Sequence, residues 1–423
     1  ITYRGECAFA GASQTSGNAN LVLGGVIGTT WSETVRNCSN LTSAEINVAG
    51  KVSSNGTRRV SVDLSRKRAI AGVIGVRAGR QKSLGCESVV VAENCSNGGD
   101  VTFSWDYCGA ADIFSSGCIG VFDSDRAVAC NNDGNVNYKA KVEASSYVDN
   151  LSDTNIVLLY LSGLFGCVHS SCDQIIECKN NGSITISDTT AQVLNVSGLL
   201  GTTMSNVDVV LTDCANTGSI LVAEDVTIAQ LYLGGIISRT YQMNVKYLGC
   251  YNSGNVESKA TATAETYIGS IFGSSSRTTT AVSEDNENVY NSGTVTYSGK
   301  SAIAYVGGYC GQYQDKSHTI AFVNTSTGVV RYQGTASIRA YVGGIIGLGG
   351  LATLSWDANY INALAITKIS GMTGGAFNMS NQGNVSIVAD GQAPEIYVGG
   401  AFGAAHASSG AISKLVNSGV VEV

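Results

Sequence analysis

Two pairs of carboxylates are the residues of this chain best suited to acid–base chemistry. Asp123 and Asp125 lie two residues apart, and Glu284 and Glu287 lie three residues apart in an acidic stretch. Enzymes that cleave polysaccharides need two carboxyl groups a few ångströms apart, one of which acts as the acid. Neither pair recurs at the matching position of the repeat described below, so we interpret both pairs as solvated loop residues.

Histidine and cysteine, the usual ligands of transition metals, show no metal-binding pattern. None of the 13 cysteines has the Cys-x-x-Cys spacing of zinc sites. The 3 histidines, His169, His318 and His406, lie in no recognisable catalytic motif. We therefore expect no metal, no cofactor and no enzymatic activity.

Two segments are candidates for binding a partner. A basic cluster in the second repeat could recognise an acidic glycan or another protein, although a solvated edge of the fold is the simpler interpretation. The long insertion 348–377 contains Trp356 and Tyr360 and could protrude as a binding element or as a contact between chains. The basic cluster consists of Arg58, Arg59, Arg66, Lys67, Arg68, Arg77, Arg80 and Lys82.

The composition excludes several classes of protein. Of the 423 residues, 44% are hydrophobic and only 13% are charged, which is too apolar for a disordered chain. The single proline excludes collagen-like repeats, and no run of about 18 apolar residues predicts a membrane-spanning helix. A net charge of −7 without a basic stripe argues against nucleic-acid binding. Because the chain starts at Ile1, we expect a processed product or a piece of a longer protein.

A short glycine-rich block recurs along the whole chain. It consists of two small residues, two apolar residues and a further small residue, as in Gly343-Gly-Ile-Ile-Gly347. Ten copies of such a block indicate a repeat architecture. The copies begin at Gly24, Ala71, Ser116, Ser162, Ser197, Gly234, Gly269, Gly307, Gly343 and Gly399.

A second motif, Cys-x-Asn-x-Gly, follows the glycine block and precedes an alternating apolar run such as Ile184-Thr-Ile-Ser. Alternation with a period of two residues predicts a strand. Strands this short cannot bury a face alone, but stacked coils pair each strand with its counterpart in the next repeat. The sequence therefore predicts an all-β fold, a parallel β-helix (β-solenoid) of about ten coils with three strands per coil and loop insertions. A β-propeller is the alternative, but its Asn-Gly or Asp-Gly hairpin turns are mostly missing.

The repeats predict one solenoid domain over residues 1–423. With a spacing of about 4.8 Å per coil, ten coils would form a rod about 48 Å long. The predicted repeats are approximately 1–45, 46–100, 101–135, 136–183, 184–219, 220–255, 256–294, 295–329, 330–384 and 385–423.

The asparagine of the second motif is interpreted as structural. Asparagine and glycine accept the left-handed backbone of a sharp turn, and stacked asparagines can bond from coil to coil. The residues assigned to this column are Asn97, Asn132, Asn216, Asn252, Asn291, Asn381 and Asn417.

The cysteines fall into two groups. Val289, Met379 and Leu415 replace cysteine in later repeats, which indicates a buried column of free thiols. Off this column, Cys167 with Cys172 and Cys108 with Cys118 are disulfide candidates, and a disulfide would suggest an oxidising compartment. The column consists of Cys38, Cys95, Cys130, Cys178, Cys214 and Cys250.

Ten Asn-x-Ser/Thr sequons occur, only slightly more than this composition gives by chance. Several fall at turn positions where asparagine is needed for the fold. The candidates for glycosylation are Asn37, Asn55, Asn150 and Asn324.

Two segments, Tyr341-Val-Gly-Gly-Ile-Ile-Gly347 and Tyr251-Asn-Ser-Gly-Asn-Val256, together resemble the GLUG-motif repeat. That repeat occurs in large secreted and surface proteins, including bacterial adhesins and immunoglobulin A peptidases. The resemblance covers nearly the whole chain as a repeat and implies a β-solenoid at the cell surface. The longer coil and the cysteine column depart from the family pattern, and no catalytic residue carries over.

The leading hypothesis is a non-enzymatic, extracellular or cell-surface structural or adhesive protein. The first and last strands occupy the same phase of the repeat, so we expect head-to-tail self-association into a filament, or excision from a longer array. The alternative is a polysaccharide-active hydrolase or lyase on the same scaffold. A surface antigen that binds a glycan or host ligand is the third hypothesis.

Overall fold

The computed structural model describes an all-β chain without a helix in the described residues. The predicted parallel β-solenoid of about ten coils is confirmed, because equivalent strands of successive coils pair in parallel. The described residues are 2–9, 21–30, 34–54, 68–77, 91–108, 111–142, 157–168, 172–202, 208–241, 244–276, 286–314, 320–349, 351–354, 366–370, 372–373, 377–388, 395–405, 407–409 and 415–423.

Each coil contributes strands to as many as five ladders, which we name A to E in chain order. Coil n begins at the nth strand of ladder A and ends at the following strand of ladder E. The expectation of three strands per coil was an undercount. Most strands of ladders D and E have only two or three residues and are too short to show alternation in the sequence.

Ladders A and B contain the longest strands, of up to nine residues. Ladder A comprises Thr2–Phe9, Ile46–Ser54, Val101–Cys108, Val136–Val142, Ile184–Ile186, Ile220–Val222, Val256–Ser258, Val295–Tyr297, Val330–Tyr332, Val385–Ile387 and Val421–Glu422. Ladder B comprises Leu21–Gly24, Arg68–Ala71, Ala111–Ser116, Val157–Ser162, Thr190–Ser197, Thr227–Gly234, Thr261–Gly269, Lys300–Gly307, Thr335–Gly343 and Glu395–Gly399.

Ladder C begins at the fourth residue of the glycine block and is split into two parts, which Leu200 joins by isolated bridges to Phe165 and Ile237. Its strands are Ile27–Thr30, Ile74–Arg77, Ile119–Phe122, Phe165–Val168, Ile237–Tyr241, Phe272–Ser276, Cys310–Gln314, Ile346–Gly349 and Phe402–Ala405.

Ladder D has strands in the first six coils, and ladder E has strands in all ten. Ladder D comprises Thr34–Arg36, Val91–Glu93, Arg126–Val128, Gln174–Ile176, Asp208–Thr212 and Asn244–Leu248. Ladder E comprises Ser39–Asn40, Ser96–Asn97, Asn131–Asn132, Lys179–Asn180, Ala215–Asn216, Tyr251–Asn252, Val289–Asn291, Ile320–Asn324, Phe377–Asn381 and Leu415–Asn417.

Two further strand pairs lie outside these ladders. Leu351–Leu354 pairs antiparallel with Ile366–Ser370, inside the insertion predicted at 348–377. Met372–Thr373 pairs in parallel with Ala407–Ser409.

Two apolar cores fill the cross-section of each coil. The first lies between ladders A and B, where Val256 and Leu231 are representative. The second lies between ladder C and the segment that carries ladders D and E, where Ile237, Tyr247 and Cys250 pack. The turn between ladders B and C separates the two cores.

A residue with left-handed backbone turns the chain between ladders D and E, directly before the cysteine column. Its φ angle lies between 52° and 64° in seven coils, and only one of these residues is glycine. Asparagine and aspartate tolerate this conformation better than most residues. The corner residues are Asn37, Asn94, Ala129, Glu177, Asp213, Gly249 and Asn288.

The glycines of the repeat are needed for close packing and not for the left-handed turns that the sequence suggested. The second glycine of the block, such as Gly235, has no left-handed φ; a Cβ there would overlap the Ser270 carbonyl and lie 2.5 Å from the Asn252 Oδ1. Gly254 of the Asn-x-Gly turn likewise lies against the Gly218 carbonyl. Close contact between coils therefore requires these glycines.

None of the described segments forms a helix of the length and apolarity needed to cross a membrane.

The need for glycine where coils lie in close contact can be tested at the last glycine of the block. A Cβ on Gly311 would lie 2.8 Å from the Ile268 nitrogen and 2.9 Å from the Gly273 carbonyl oxygen of the preceding coil, whereas a Cβ on Gly28 meets its nearest neighbour, the Val22 oxygen, at 4.0 Å. We expect Gly311→Ala to cost about 1–3 kcal/mol and to lower the thermal unfolding midpoint. Gly28→Ala should leave the midpoint unchanged or raise it. Equal midpoints for the two variants would contradict this explanation.

Candidate functional site

An unbroken chain of asparagine side chains runs along the rod at the turn between ladders E and A, and we call it the asparagine ladder. Each Nδ2 donates to the Oδ1 of the asparagine in the next coil, over nine bonds of 2.7–3.0 Å. All members except the last are buried. The members are Asn40, Asn97, Asn132, Asn180, Asn216, Asn252, Asn291, Asn324, Asn381 and Asn417.

The same amide groups also close the turn of their own coil. The Nδ2 of Asn216 donates to the Gly218 carbonyl at 2.9 Å, and the Nδ2 of Asn252 donates to the Gly254 carbonyl at 2.8 Å. Both amide hydrogens of such a residue are thus engaged within the protein. This confirms the predicted bonding from coil to coil and assigns the ladder a structural task.

The predicted cysteine column is a row of free thiols inside the second core. Cys95, Cys130, Cys178, Cys214 and Cys250 are fully buried, and Cys38 is half-buried. The Sγ of each donates to a carbonyl two residues earlier, as from Cys214 to Thr212 at 3.3 Å.

Thiol burial has an electrostatic consequence. Burial raises the pKa of the Cys178 and Cys118 thiols, because a thiolate would lose its hydration there. Cysteine packs in this column as a small apolar side chain with one weak donor, and the column continues through Val289, Phe322, Met379 and Leu415.

The disulfide considered between Cys167 and Cys172 is not formed in the structure, where both side chains are fully buried. Cys167 packs with Phe114 and Val121, whereas Cys172 belongs to the second core. Cys118 is likewise a free thiol in the second core. Cys108 ends a ladder A strand, and its side chain lies outside the described residues.

A second column, the tyrosine stack, covers the outer side of ladder B. Its rings lie nearly parallel, with centroids 4.6–5.3 Å apart. Most of its members are at most 6% exposed. The stack consists of Tyr232, Tyr267, Tyr305, Tyr341 and Tyr397.

A buried polar cluster borders the first rings of this stack. Glu265 is only 6% exposed and accepts a hydrogen bond of 2.8 Å from the Nε2 of Gln230. The Tyr232 hydroxyl donates to the Gln230 Oε1 at 3.3 Å, and the Arg239 guanidinium lies 4.6 Å from the Tyr232 ring centre. The cluster thus places a buried carboxyl group beside a guanidinium and two tyrosines.

Burial raises the pKa of the Glu265 carboxyl, and hydrogen bonds from Tyr267 and Gln230 and the charge of Arg239 oppose that shift only in part. A carboxyl group in this state is a proton-binding site. No second carboxylate stands at the adjacent ladder positions, because Gln230 and Ile303 flank Glu265. The cluster lacks the pair needed for glycoside hydrolysis.

The two carboxylate pairs singled out by sequence lie in different coils, and the interpretation of Asp123 as a solvated residue is wrong. Asp123 is buried and Asp125 half-buried in the bend between ladders C and D of coil 3. Glu287 is exposed in coil 7, where it bridges Leu248, and Glu284 lies outside the described residues. In the described part of the chain, no group of three or more His, Cys, Asp or Glu could hold a metal ion.

The glycosylation candidates have different environments. Asn37 is an exposed corner residue, and its side chain remains accessible. Asn324 is 0% exposed within the asparagine ladder, so a glycan on it is incompatible with the folded coil and that prediction is corrected. Asn55 and Asn150 lie outside the described residues.

Most of the predicted interaction residues also lie outside the described residues, namely Arg58, Arg59, Arg66, Lys67, Trp356 and Tyr360. Arg68 begins a ladder B strand and pairs with Leu21 and Ile113.

Sequence reasoning missed the tyrosine stack and the cluster at Glu265. The signal was present, because a tyrosine stands two residues before the glycine block in each of the last five coils, as in Leu231-Tyr-Leu233 and Ala304-Tyr-Val306. That tyrosine was interpreted only as part of an alternating strand. Its recurrence at one position predicts a stack once the coils are placed in register.

The chain matches no family model, no curated protein and no solved structure.

The asparagine ladder can be tested by removing its donors while keeping its oxygens. Asn216→Asp loses the bonds to Gly218 and Asn252 and places a carboxylate oxygen against the Asn252 Oδ1. We expect a loss of about 3 kcal/mol or more in the free energy of unfolding. Asn255→Asp is the control, because Asn255 is exposed and uses only its Oδ1, which accepts the Thr294 N–H. Similar urea midpoints for the two variants would contradict a structural ladder.

The raised pKa of Glu265 predicts a pH dependence with a definite sign. Above its ordinary pKa of 4.5 the carboxyl ionises in the unfolded chain but stays protonated in the folded one. Stability contributed by Glu265 is therefore present at low pH and falls as the pH rises towards the folded pKa. We expect wild type to lose thermal stability relative to Glu265→Gln as the pH rises from 4 to 8. The measurement is the difference between the thermal unfolding midpoints of the two proteins, which should decrease.

The control for this pH series is Glu257→Gln, because Glu257 lies on the outer side of ladder A and pairs with Lys259 at 3.4 Å. If the difference between wild type and Glu265→Gln is flat with pH, Glu265 is not held protonated in the folded chain.

The thiol column predicts selective alkylation. Iodoacetamide should modify Cys38 in the folded protein and leave Cys130, Cys178, Cys214 and Cys250 unmodified until denaturant is added. Peptide mass spectrometry before and after denaturation measures this. A disulfide between any two column cysteines in the denatured, unreduced chain would contradict the assignment.

Proposed function

We propose that this chain is a non-enzymatic structural or adhesive rod of the extracellular or cell-surface kind, which associates head to tail. The observation that carries the proposal is the asparagine ladder, which engages side chains in all ten coils for cohesion alone. The columns of thiols and tyrosines serve cohesion in the same way.

The absence of a paired reactive constellation among the described residues supports the non-enzymatic part. Glu265 has no second carboxylate in the neighbouring coils, and Asp123 and Glu287 lie four coils apart. The resemblance to GLUG-motif repeats and the exposed sequon at Asn37 support a surface location. Full burial protects the column thiols other than Cys38 from oxidation, so free cysteines are compatible with that location.

The direction of the asparagine ladder supports head-to-tail association. In every bond the earlier coil donates and the later coil accepts, so Asn417 presents an amide hydrogen along the axis and Asn40 presents an Oδ1. Apolar residues also occupy the same ladder positions in the first and the last coil. These are Leu23 and Val398 in ladder B, and Ile27 and Phe402 in ladder C. Val416 and Val421 at one edge are 58% and 39% exposed.

The association is tested with Asn417→Asp. This substitution keeps the oxygen that accepts from Asn381 but sets a carboxylate against the Asn40 Oδ1 of a second copy. Negative-stain imaging should show rods longer than one copy for wild type and single copies for the variant. Asn255→Asp, in the middle of the rod, should leave the rods intact. A wild-type preparation of single particles would overturn the association.

The non-enzymatic part is tested separately. Purified chain is incubated with neutral and acidic polysaccharides, and the release of new reducing ends is followed over time. No release is the expected result. Cleavage that Asp123→Asn or Glu287→Gln abolishes would overturn the proposal.

A further inference from the structure

The tyrosine stack has a polar partner column. In four of its five coils the residue two positions before the tyrosine is polar and bonds that tyrosine's hydroxyl or lies in reach of it. Tyr232 donates to Gln230, and Tyr397 donates to the Glu395 Oε2 at 3.2 Å. The hydroxyl of Tyr267 lies in reach of Glu265, and that of Tyr341 lies in reach of Arg339.

Coil 8 breaks this rule. Its partner position holds Ile303, which pairs in register with Glu265 of coil 7 and Arg339 of coil 9. The Tyr305 side chain is 0% exposed, and no described protein atom hydrogen-bonds its hydroxyl. A buried hydroxyl without a partner is rare in folded proteins.

The strands on either side of coil 8 are shaped around this position. The register shifts directly before Glu265 and again directly before Arg339, which places an extra residue in each of these strands. Bulges of this kind redirect side chains and are enriched beside functional sites. Both charged groups act electrostatically on the Tyr305 hydroxyl.

We propose that one buried water molecule binds in coil 8 and is held by the Tyr305 hydroxyl, the Glu265 carboxyl group and the Arg339 guanidinium. These groups supply the two or more donors and acceptors that an internal water needs. The site is closed to bulk solvent, because Ile303 is 1% and Tyr305 0% exposed and the Tyr305 ring is stacked between those of Tyr267 and Tyr341 at 4.6 and 5.3 Å. The water joins two halves of the polar column that Ile303 interrupts.

This inference does not rest on the proposed function. The buried Tyr305 hydroxyl needs a hydrogen-bond partner whether the rod is structural or enzymatic.

The inference is tested by crystal structures of wild type, Ile303→Gln and the matched control Ile303→Leu. Wild type and Ile303→Leu should each show one ordered water within about 3.2 Å of the Tyr305 Oη. Ile303→Gln should lose that water, because its amide can reach the hydroxyl as Gln230 reaches Tyr232. A wild-type structure in which a protein atom bonds the Tyr305 Oη would overturn the proposal.

Oxygen-17 relaxation dispersion gives a second measurement in solution. The number of long-lived internal waters should fall by one in Ile303→Gln and in Tyr305→Phe, and should not change in Ile303→Leu. Tyr305→Phe decides the matter if Ile303→Gln fails to fold, since it removes only the hydroxyl. An unchanged count in Tyr305→Phe contradicts a water bound there.

Discussion

The structure depends on one interaction, the hydrogen bond between asparagine amides of adjacent coils. An asparagine amide provides two donors and an acceptor at the end of a short side chain. One hydrogen closes the turn of its own coil and the other bonds the next coil, as Asn216 shows with Gly218 and Asn252. Leucine offers neither donor nor acceptor, and aspartate offers no donor. The position therefore tolerates little else while the coils keep their spacing.

Other sequence features follow from this constraint. The amides lie at the junction of the two cores, so the turn between ladders B and C must approach them closely, and Gly235 meets Asn252 there. Cysteine fills the adjoining inward position because it is small and its thiol still bonds a carbonyl. With the register fixed, equivalent tyrosines come within stacking distance without further specification.

The repeat, the ten coils, the buried thiols and the bonding between asparagines could be predicted, because each appears as a recurring residue type at one phase. The separate D and E strands could not, since two residues such as Asn131 and Asn132 show no alternation. Asn324 was misassigned because a sequon is a local pattern, whereas its burial depends on the coils on either side. Glu265 was missed because its column holds Gln230, Glu265, Ile303 and Arg339 in successive coils, so no single residue type recurs.

The orientation of the asparagine ladder has a mechanical consequence. Its bonds, like those of the backbone ladders, run along the rod, so a pull applied at the two ends of the chain opens them one coil at a time from an edge. Successive ladder asparagines are 33 to 57 residues apart. At about 3.4 Å of extended chain per residue, each coil that peels away releases on the order of 110–190 Å. We expect such a rod to lengthen in discrete steps while its remaining coils stay folded.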